Sequence, residues 1–275
     1  MSTHTIKNLY TTAGSRYLQN NPTWHVEDSP YKVRHILSVM KNLPSDFRVC
    51  TVAEVGCGAG EILNLLHANL CQTPVCEPIP LHSSYPSPIL PPFFKGFDIA
   101  PDAIELCRQK EKEGLAFHCG DFFETNETFD IILLIDVFEH LEDYYAFLRR
   151  IRVRANYFIF NIPLEMNVLA ALANSPMFTH EKYGHKHFFS KDIALAALET
   201  CGYHIIAHEY GLGVGKPAKR LIGRIGIGKL ARRIIYSLLN KDFAVRLIGG
   251  SLFVLASTVE QPSTKNVATI KPPDQ

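Results

Sequence analysis

The stretch that decides the fold is CTVAEVGCGAGEILNLLHANL, residues 50–70, in which a glycine-rich turn joins an apolar run to a helical pattern. Cys50 to Val55 is short and apolar and predicts a strand, and apolar residues recur at helical spacing from Ile62 to Leu70. A glycine turn lets the backbone approach a ligand because no Cβ intervenes. The helix start that follows favours an anion. The stretch therefore predicts a site for an adenosine-containing cofactor.

The alternation of strands and helices continues along the chain. Further strands are predicted at Phe93–Phe97, Leu115–Cys119, Phe129–Ile135, Asn156–Ile162, Tyr203–Tyr210 and Ser251–Ser257. Helices are predicted from Pro30 to Leu43, from Pro101 to just before Gly114, from Tyr144 to Ile151 and from Ser190 to Thr200. This order predicts an α/β fold with a doubly wound, mostly parallel seven-stranded sheet, which binds ligands at the carboxyl ends of its strands.

The domain prediction is a single domain at residues 46–260, preceded by an N-terminal helical arm at 1–45 that covers the pocket. Residues 73–92 hold seven of the seventeen prolines and are interpreted as a looped-out insertion. Residues 211–250 are interpreted as an inserted helical segment before the last strand. Residues 261–275 are predicted to be disordered.

Composition limits the class of protein. The chain has 275 residues, 47% of them hydrophobic, and a formal net charge of +1, which gives no reason to expect a nucleic-acid partner. The seven cysteines include no Cys-x-x-Cys pair. No secretory leader or membrane-spanning run is visible. We expect a soluble, cytoplasmic protein with reduced thiols.

The details of the turn choose between cofactors. The pattern E-V-G-C-G-x-G, from Glu54 to Gly60, resembles the first motif of class I S-adenosylmethionine-dependent methyltransferases. A nicotinamide-dependent oxidoreductase is the alternative enzyme class, but it requires a third glycine at G-x-G-x-x-G spacing. A P-loop is excluded because no Gly-Lys-Ser/Thr follows.

The resemblance extends to three more motifs, at residues 96–101, 120–122 and 129–141, in the family's order. It implies S-adenosylmethionine as the cofactor, a Rossmann-like methyltransferase fold, and a set of cofactor-binding residues. These residues are Glu54, Gly56, Cys57, Gly58, Asp98, Ile99, Asp121, Phe122 and Asp136. In this comparison Asp98 binds the ribose, Asp121 the adenine amino group, and Glu54 helps to orient the amino-acid part. Asp98 follows Gly56 by 42 residues (98 − 56), about twice the usual gap, and the proline-rich insertion accounts for the difference.

Methyl transfer is an in-line displacement, so the protein aligns the reactants, excludes water and removes a proton where the acceptor is a hydroxyl. The candidate bases are His140, in the motif after strand four, and His185 and His187, in a segment that resembles the G-H-x-x-F-F-S stretch of small-molecule methyltransferases. Two histidines two residues apart lack a clear third ligand, so no metal is predicted. Packing and hydrogen bonding at the start of the next helix would explain the two histidines equally well.

The acceptor pocket is predicted to include Trp24 and His25 from the arm and Tyr183 ahead of the histidines. Trp24 could equally anchor the arm to the core. The segment 211–250 carries nine basic residues against one acid, Asp242. It is interpreted either as a helix pair closing over the pocket or as a basic amphipathic surface in peripheral contact with a membrane. The prediction is methyl transfer to a hydroxyl of a small-molecule acceptor, by in-line displacement with a histidine or a carboxylate as the base. A non-catalytic cofactor-binding protein docked to a membrane is the further alternative.

Overall fold

The computed structural model describes residues 21, 23–71, 92–211 and 236–259. Seven strands form one sheet: β1 Thr51–Val55, β2 Phe93–Asp98, β3 Leu115–Cys119, β4 Phe129–Ile135, β5 Ala155–Leu164, β6 His204–Gly211 and β7 Gly250–Ser257. The α-helices in these ranges are α1 Ser29–Met40, α2 Glu61–Leu70, α3 Pro101–Arg108, α4 Tyr144–Ile151, α5 Val168–Leu172, α6 Ser175–Tyr183, α7 Lys191–Thr200 and α8 Lys241–Ile248.

The strand order β3-β2-β1-β4-β5-β7-β6 confirms the predicted doubly wound sheet. The first five strands in this order pair in parallel, whereas β7 runs antiparallel to both β5 and β6. The winding reverses between β1 and β4, which are neighbours in space but not in sequence. Ligands of open α/β sheets bind at such a switch point, beyond the carboxyl ends of the strands.

Apolar side chains cover both faces of the sheet. One layer contains the rings of Phe138, Phe158 and Phe160, and the other includes Ile36 of α1 and Leu63 of α2. The central strand β4 is buried along almost its whole length, as expected of a parallel strand covered on both sides. Its predicted bounds are confirmed.

Two predicted helix ends were wrong. The helix that begins at Pro101 ends at Arg108 and does not extend to Gly114. Gly114 instead has a φ of 76° in a tight turn, in which Lys112 and Leu115 exchange backbone hydrogen bonds of 3.1 and 2.9 Å. The N-terminal helix, predicted from Pro30 to Leu43, begins at Ser29 and ends at Met40. Ser190 caps α7 by accepting from the Ile193 amide at 3.3 Å.

Helices α5 and α6 were missed by the sequence analysis, which assigned no element between β5 and residue 190. The side chain of Asn167 caps α5 by accepting from the Ala170 amide at 2.9 Å. Gly184, with a φ of 79°, ends α6 in the left-handed conformation. The chain therefore turns back toward the sheet at Gly184, immediately before His185.

Most of the two insertions, the first twenty residues and the tail lie outside the described residues. The described part of the basic insertion includes α8, which buries Ala244, Val245 and Ile248 and so confirms a helical segment before the last strand. Among the described helices, none combines the length and apolar character needed to cross a membrane. Peripheral membrane contact through 211–250 stays a prediction.

The ring of Phe138 is the packing contact that we expect to matter most for stability near the carboxyl end of β4. It is fully buried and lies 5.2 Å from the Phe189 ring and 6.2 Å from the Phe160 ring, between centroids. Phe138→Ala should lower the free energy of unfolding by about 3–5 kcal/mol because it leaves a cavity. Phe178→Ala, at a ring that is 58% exposed, should change it by less than about 0.5 kcal/mol. Urea denaturation of the two variants makes the comparison, and equal losses would contradict it.

Candidate active site

The glycine turn lies at the carboxyl end of β1 and is fixed to the neighbouring strand. The amides of Gly56 and Cys57 both donate to the Phe97 carbonyl oxygen, at 2.8 and 3.1 Å. Gly56 and Gly58 have φ values of 77° and 53°, which favour glycine. Gly56 is exposed, whereas Val55 before it is half-buried and Cys57 after it is buried. The turn therefore presents its backbone at the switch point.

Asp98 ends β2 directly beside this turn. Its carboxylate accepts from the Gly58 amide at 2.8 Å and from the Ala100 amide at 2.9 Å. Burial raises the pKa of Asp98 to about 6, although these amide hydrogen bonds act in the opposite direction. Because Val55 pairs with Phe97 in the sheet register, the long sequence gap does not separate Asp98 from the turn. Ile99 follows it and is half-buried.

The third motif lies at the end of the neighbouring strand β3. Asp121 accepts from the Phe123 amide at 3.0 Å and so caps a short 3₁₀ turn. The ring of Phe122 is 2% exposed and packs at 5.0 Å from the Phe97 ring and 6.3 Å from the Phe129 ring, between centroids. The structure therefore places the predicted cofactor neighbour Phe122 in the core.

A second group of charges lies between the turn and β4. Asp136, whose φ is 56°, accepts from the Asn161 amide group at 2.6 Å and pairs with the Lys32 ammonium at 2.7 Å. Burial lowers the pKa of Lys32, but the adjacent Asp136 and the nearby Asp28 and Glu54 outweigh it, and the pKa is raised overall. The sequence analysis missed Lys32 and Asn161 as site residues. Nothing in the sequence distinguishes Lys32 from the other polar residues of its amphipathic helix.

Glu54 is buried at the same place, with 1% of its surface exposed. Burial, first of all, raises its pKa well above the ordinary value. In the described part of the chain its Oε2 atom has no hydrogen-bond partner. An orphaned buried acceptor next to a glycine turn fits a ligand that brings a donor or a positive charge to this point, such as the ammonium group of an amino acid.

The predicted acceptor-pocket residues converge on this edge of the sheet. A Cβ on Gly58 would lie 3.8 Å from the Trp24 ring, so that Trp24 lies over the turn. Ring centroids are 5.9 Å apart between His25 and Tyr183 and 5.8 Å apart between Tyr183 and His185. Trp24 and His25 both have positive φ values, of 49° and 59°.

His140 and His185 lie together with two carboxylates. Their rings are 4.7 Å apart, between centroids, and nearly perpendicular. The Nδ1 atom of His185 lies 2.7 Å from Oε2 of Glu165. Glu139 is fully buried beside them, and ligand atoms of Glu139, His140 and His185 all lie within 4.8 Å of one another. We call Glu139, His140 and His185 the imidazole–carboxylate cluster.

The third candidate base, His187, does not join this cluster. Its Nε2 atom lies 2.8 Å from the Leu141 carbonyl oxygen, and its ring packs edge-on against Tyr144 at 4.7 Å. The Glu139 carbonyl accepts from the amides of Lys186 and His187, at 2.8 and 3.1 Å. These two bonds fix the segment to the β4 loop and bring His185, rather than His187, next to His140.

Burial dominates the electrostatics of the cluster. It lowers the pKa of His140 to about 3, with His185 acting in the same direction. It raises the pKa of Glu139 well above its usual range, helped by the negative charges of Asp136 and Glu165. Glu165 was missed, although a carboxylate that directly follows β5 fits the rule that located the other acids.

Comparisons with known proteins agree with this geometry. A profile of the methyltransferase domain family matches residues 25–208, about two thirds of the chain, and the chain belongs to that family. It has the class I fold and is an S-adenosylmethionine-dependent methyltransferase. This assignment decides against the nicotinamide-dependent alternative. No curated protein sequence matches the chain.

Two solved structures show the same fold. Magnesium protoporphyrin IX methyltransferase from Synechocystis PCC 6803, with bound S-adenosylhomocysteine, is 13% identical, with a TM-score of 0.53, and the match covers 94% of this chain and 99% of that chain. An S-adenosylmethionine-dependent methyltransferase from Thermotoga maritima is 12% identical, with a TM-score of 0.52 and coverage of 89% and 97%. At these identities the likeness shows the fold alone.

The lowered pKa of His140 has a direct spectroscopic consequence. With a pKa of about 3 its imidazole should stay neutral at pH 5, where an unperturbed histidine is almost fully protonated. We expect the Cε1–H resonance of His140 to show no titration step between pH 8 and pH 5 in NMR spectra. His140→Gln identifies the resonance, and a midpoint above pH 5 would contradict the burial of this ring.

Proposed function

We propose that this methyltransferase transfers the methyl group to a hydroxyl of a small-molecule acceptor. The observation that carries the proposal is the imidazole–carboxylate cluster beside the cofactor end of β4. O-methylation needs a group that takes the acceptor proton, and an imidazole oriented by a carboxylate, as His185 is by Glu165, is suited to this task. A small acceptor fits beside the rings of His25 and Tyr183, which lead to His185, and beside Trp24, which lies over the glycine turn.

The cofactor-binding roles are proposed for the residues at the switch point. Asp98 accepts hydrogen bonds from the ribose hydroxyls, and the exposed backbone at Gly56 allows close approach. The orphaned Oε2 atom of Glu54 accepts from the ammonium group of the methionine part. Bound S-adenosylmethionine supplies an electrophilic methyl group on a positively charged sulfur. The buried negative charge of the nearby carboxylates suits a cationic ligand.

Among the three candidate bases, His185 has the geometry of a proton acceptor. Its Nδ1 atom is engaged by Glu165 at 2.7 Å, which leaves Nε2 as the acceptor nitrogen. His140, with its pKa of about 3, is a weak base at neutral pH. In the proposed step the acceptor oxygen bonds to the methyl carbon, the carbon–sulfur bond breaks with its electrons left on sulfur, and the acceptor proton passes to His185.

A cytoplasmic location is part of the proposal. The six cysteines of the described residues are all free thiols, and three of them are buried. Reduced cysteines are usual in proteins of the reducing cytosol.

The role of Asp98 is tested by cofactor binding at two pH values. The ionised carboxylate accepts from both ribose hydroxyls, whereas its protonated form loses acceptor capacity. With a pKa of about 6, Asp98 is ionised at pH 8 and about nine-tenths protonated at pH 5. The dissociation constant of S-adenosylhomocysteine should therefore rise up to about tenfold on acidification, as measured by isothermal titration.

Asp98→Asn should bind weakly at both pH values, with a difference below about twofold, and NADH serves as the ligand control. An affinity of wild-type protein that is equal at pH 5 and pH 8 would contradict the ribose role. So would tight binding of S-adenosylhomocysteine by the Asn variant.

The base is tested with labelled S-adenosylmethionine and a panel of phenols, alcohols, carboxylates and amines. We expect transfer to a hydroxyl acceptor, with kcat lowered roughly 10²- to 10⁴-fold in His185→Gln and an unchanged affinity for S-adenosylhomocysteine. His204→Gln, at an exposed histidine on β6, is the matched control and should keep its kcat. Transfer to amines alone, or full activity of His185→Gln, would refute the proposal.

A further inference from the structure

The imidazole–carboxylate cluster has the donor set of a metal site. Its three ligand atoms are one carboxylate oxygen and two imidazole nitrogens, from Glu139, His140 and His185, all within 4.8 Å of one another. Around a cation at about 2.1 Å, neighbouring ligand atoms lie about 3.0–3.4 Å apart. Side-chain shifts of about 1 Å therefore close the cluster around an ion.

The side chain of Glu139 is a second, independent indication of a ligand at this point. It is fully buried, and neither carboxylate oxygen has a hydrogen-bond partner among the described residues. A buried, unpaired carboxylate is costly, and buried charges in proteins are paired or coordinate metals. The ammonium of Lys32, whose charge acts on Glu139, is already engaged by Asp136 at 2.7 Å.

The environment of His185 is that of a metal-binding histidine. Such a histidine usually gives its second ring nitrogen to a carboxylate, which orients the ring and makes it a better ligand. Here Nδ1 of His185 lies 2.7 Å from the Glu165 carboxylate. The Nε2 atom is therefore the nitrogen left to act as a ligand, and the His140 ring lies 4.7 Å from the His185 ring, between centroids.

We propose that Glu139, His140 and His185 bind one divalent transition-metal cation, with Glu165 as the positioning residue of His185. Two histidines and one carboxylate suit Zn²⁺, Mn²⁺, Fe²⁺ or Co²⁺ better than Mg²⁺, which prefers oxygen ligands. Three protein ligands leave coordination positions open for an exogenous oxygen.

The role that we assign to this cation rests on the proposed function, because its open coordination positions would hold the hydroxyl oxygen of the methyl acceptor. A hydroxyl bound to the cation would ionise more easily and release its proton to water. In the metal-bound protein the cation would thus take over the task proposed above for Nε2 of His185, which would then be a ligand. The cluster would thus remove the acceptor proton without a protonated imidazole. Cation binding itself needs neither acceptor nor cofactor, so its failure is distinguishable from a failure of methyl transfer.

The test uses the full-length, untagged protein, stripped with EDTA and dialysed. Isothermal titrations with ZnCl₂, MnCl₂ and MgCl₂ are made at pH 7.5. We expect one Zn²⁺ or Mn²⁺ per chain and much weaker binding of Mg²⁺. Glu139→Gln and His185→Gln should each weaken binding at least about 100-fold, and Glu165→Gln about 10- to 100-fold. His187→Gln is the matched control from the same segment and should bind as wild type.

Thermal melting verifies that each variant is folded. Glu139→Gln replaces an unpaired buried carboxyl group with a neutral amide and should melt no lower than wild type in EDTA. Zn²⁺ should raise the Tm of wild type and of His187→Gln, and should leave the Tm of Glu139→Gln and His185→Gln unchanged. The proposal would be overturned if wild-type protein bound none of the three ions at concentrations up to 1 mM, which corresponds to a binding free energy of roughly 4 kcal/mol or less. Wild-type affinity in Glu139→Gln or His185→Gln would overturn it as well, as would an equal loss in His187→Gln.

Discussion

The parallel pairing of β1 with β2 on one side and with β4 on the other is the constraint on which the site depends. The three strands share a direction, so the residues that follow them meet at one edge of the sheet. The glycine turn, Asp98 and Asp136 come from three separate stretches of sequence, yet all stand at this edge. Hydrogen bonds from the turn to Phe97 and Asp98 then make the first two strand ends a single backbone unit.

The residues at this edge of the sheet lower the stability of the fold. The buried side-chain atoms without hydrogen-bond partners in the described part of the chain are all acceptor oxygens, and they belong to Asp28, Glu54, Glu139 and Asn161. The aromatic and aliphatic layers on both faces of the sheet supply the stability that such a concentration of acceptors reduces. Unsatisfied groups collected at one place, rather than scattered through the core, are typical of a site that is completed by ligands.

The sequence predicted well wherever local pattern and tertiary structure agree. Strands β3 and β4 have their predicted bounds, because apolar runs flanked by turn residues leave little choice of ends. Asp98 was located across an insertion of unusual length, since sheet register rather than sequence distance places it. The sequence predicted helix bounds less well where the residue at a helix end decides them, as near Gly114, and it missed helices that are short, as α5 and α6 are. Neither of these helices has the apolar periodicity that marks a buried helix.

Spacing along the chain did not predict which residues form the imidazole–carboxylate cluster. His185 and His187 are close in sequence, but their rings lie in different places. The His185 ring packs against His140, whereas Nε2 of His187 lies beside the Leu141 carbonyl oxygen. Glu139 and His140 belong to the loop after β4. Backbone hydrogen bonds from Lys186 and His187 to the Glu139 carbonyl bring this loop next to His185, and no sequence pattern predicts such a contact.

The fate of Glu139 follows from the same physics. A carboxylate in this environment is neutralised either by a proton, as its raised pKa indicates, or by a cation. The imidazoles of His140 and His185 lie beside this carboxyl group, and ligand atoms of the three residues are all within 4.8 Å of one another. One carboxylate oxygen and two imidazole nitrogens form a set of donors that a divalent cation satisfies together and a single proton does not.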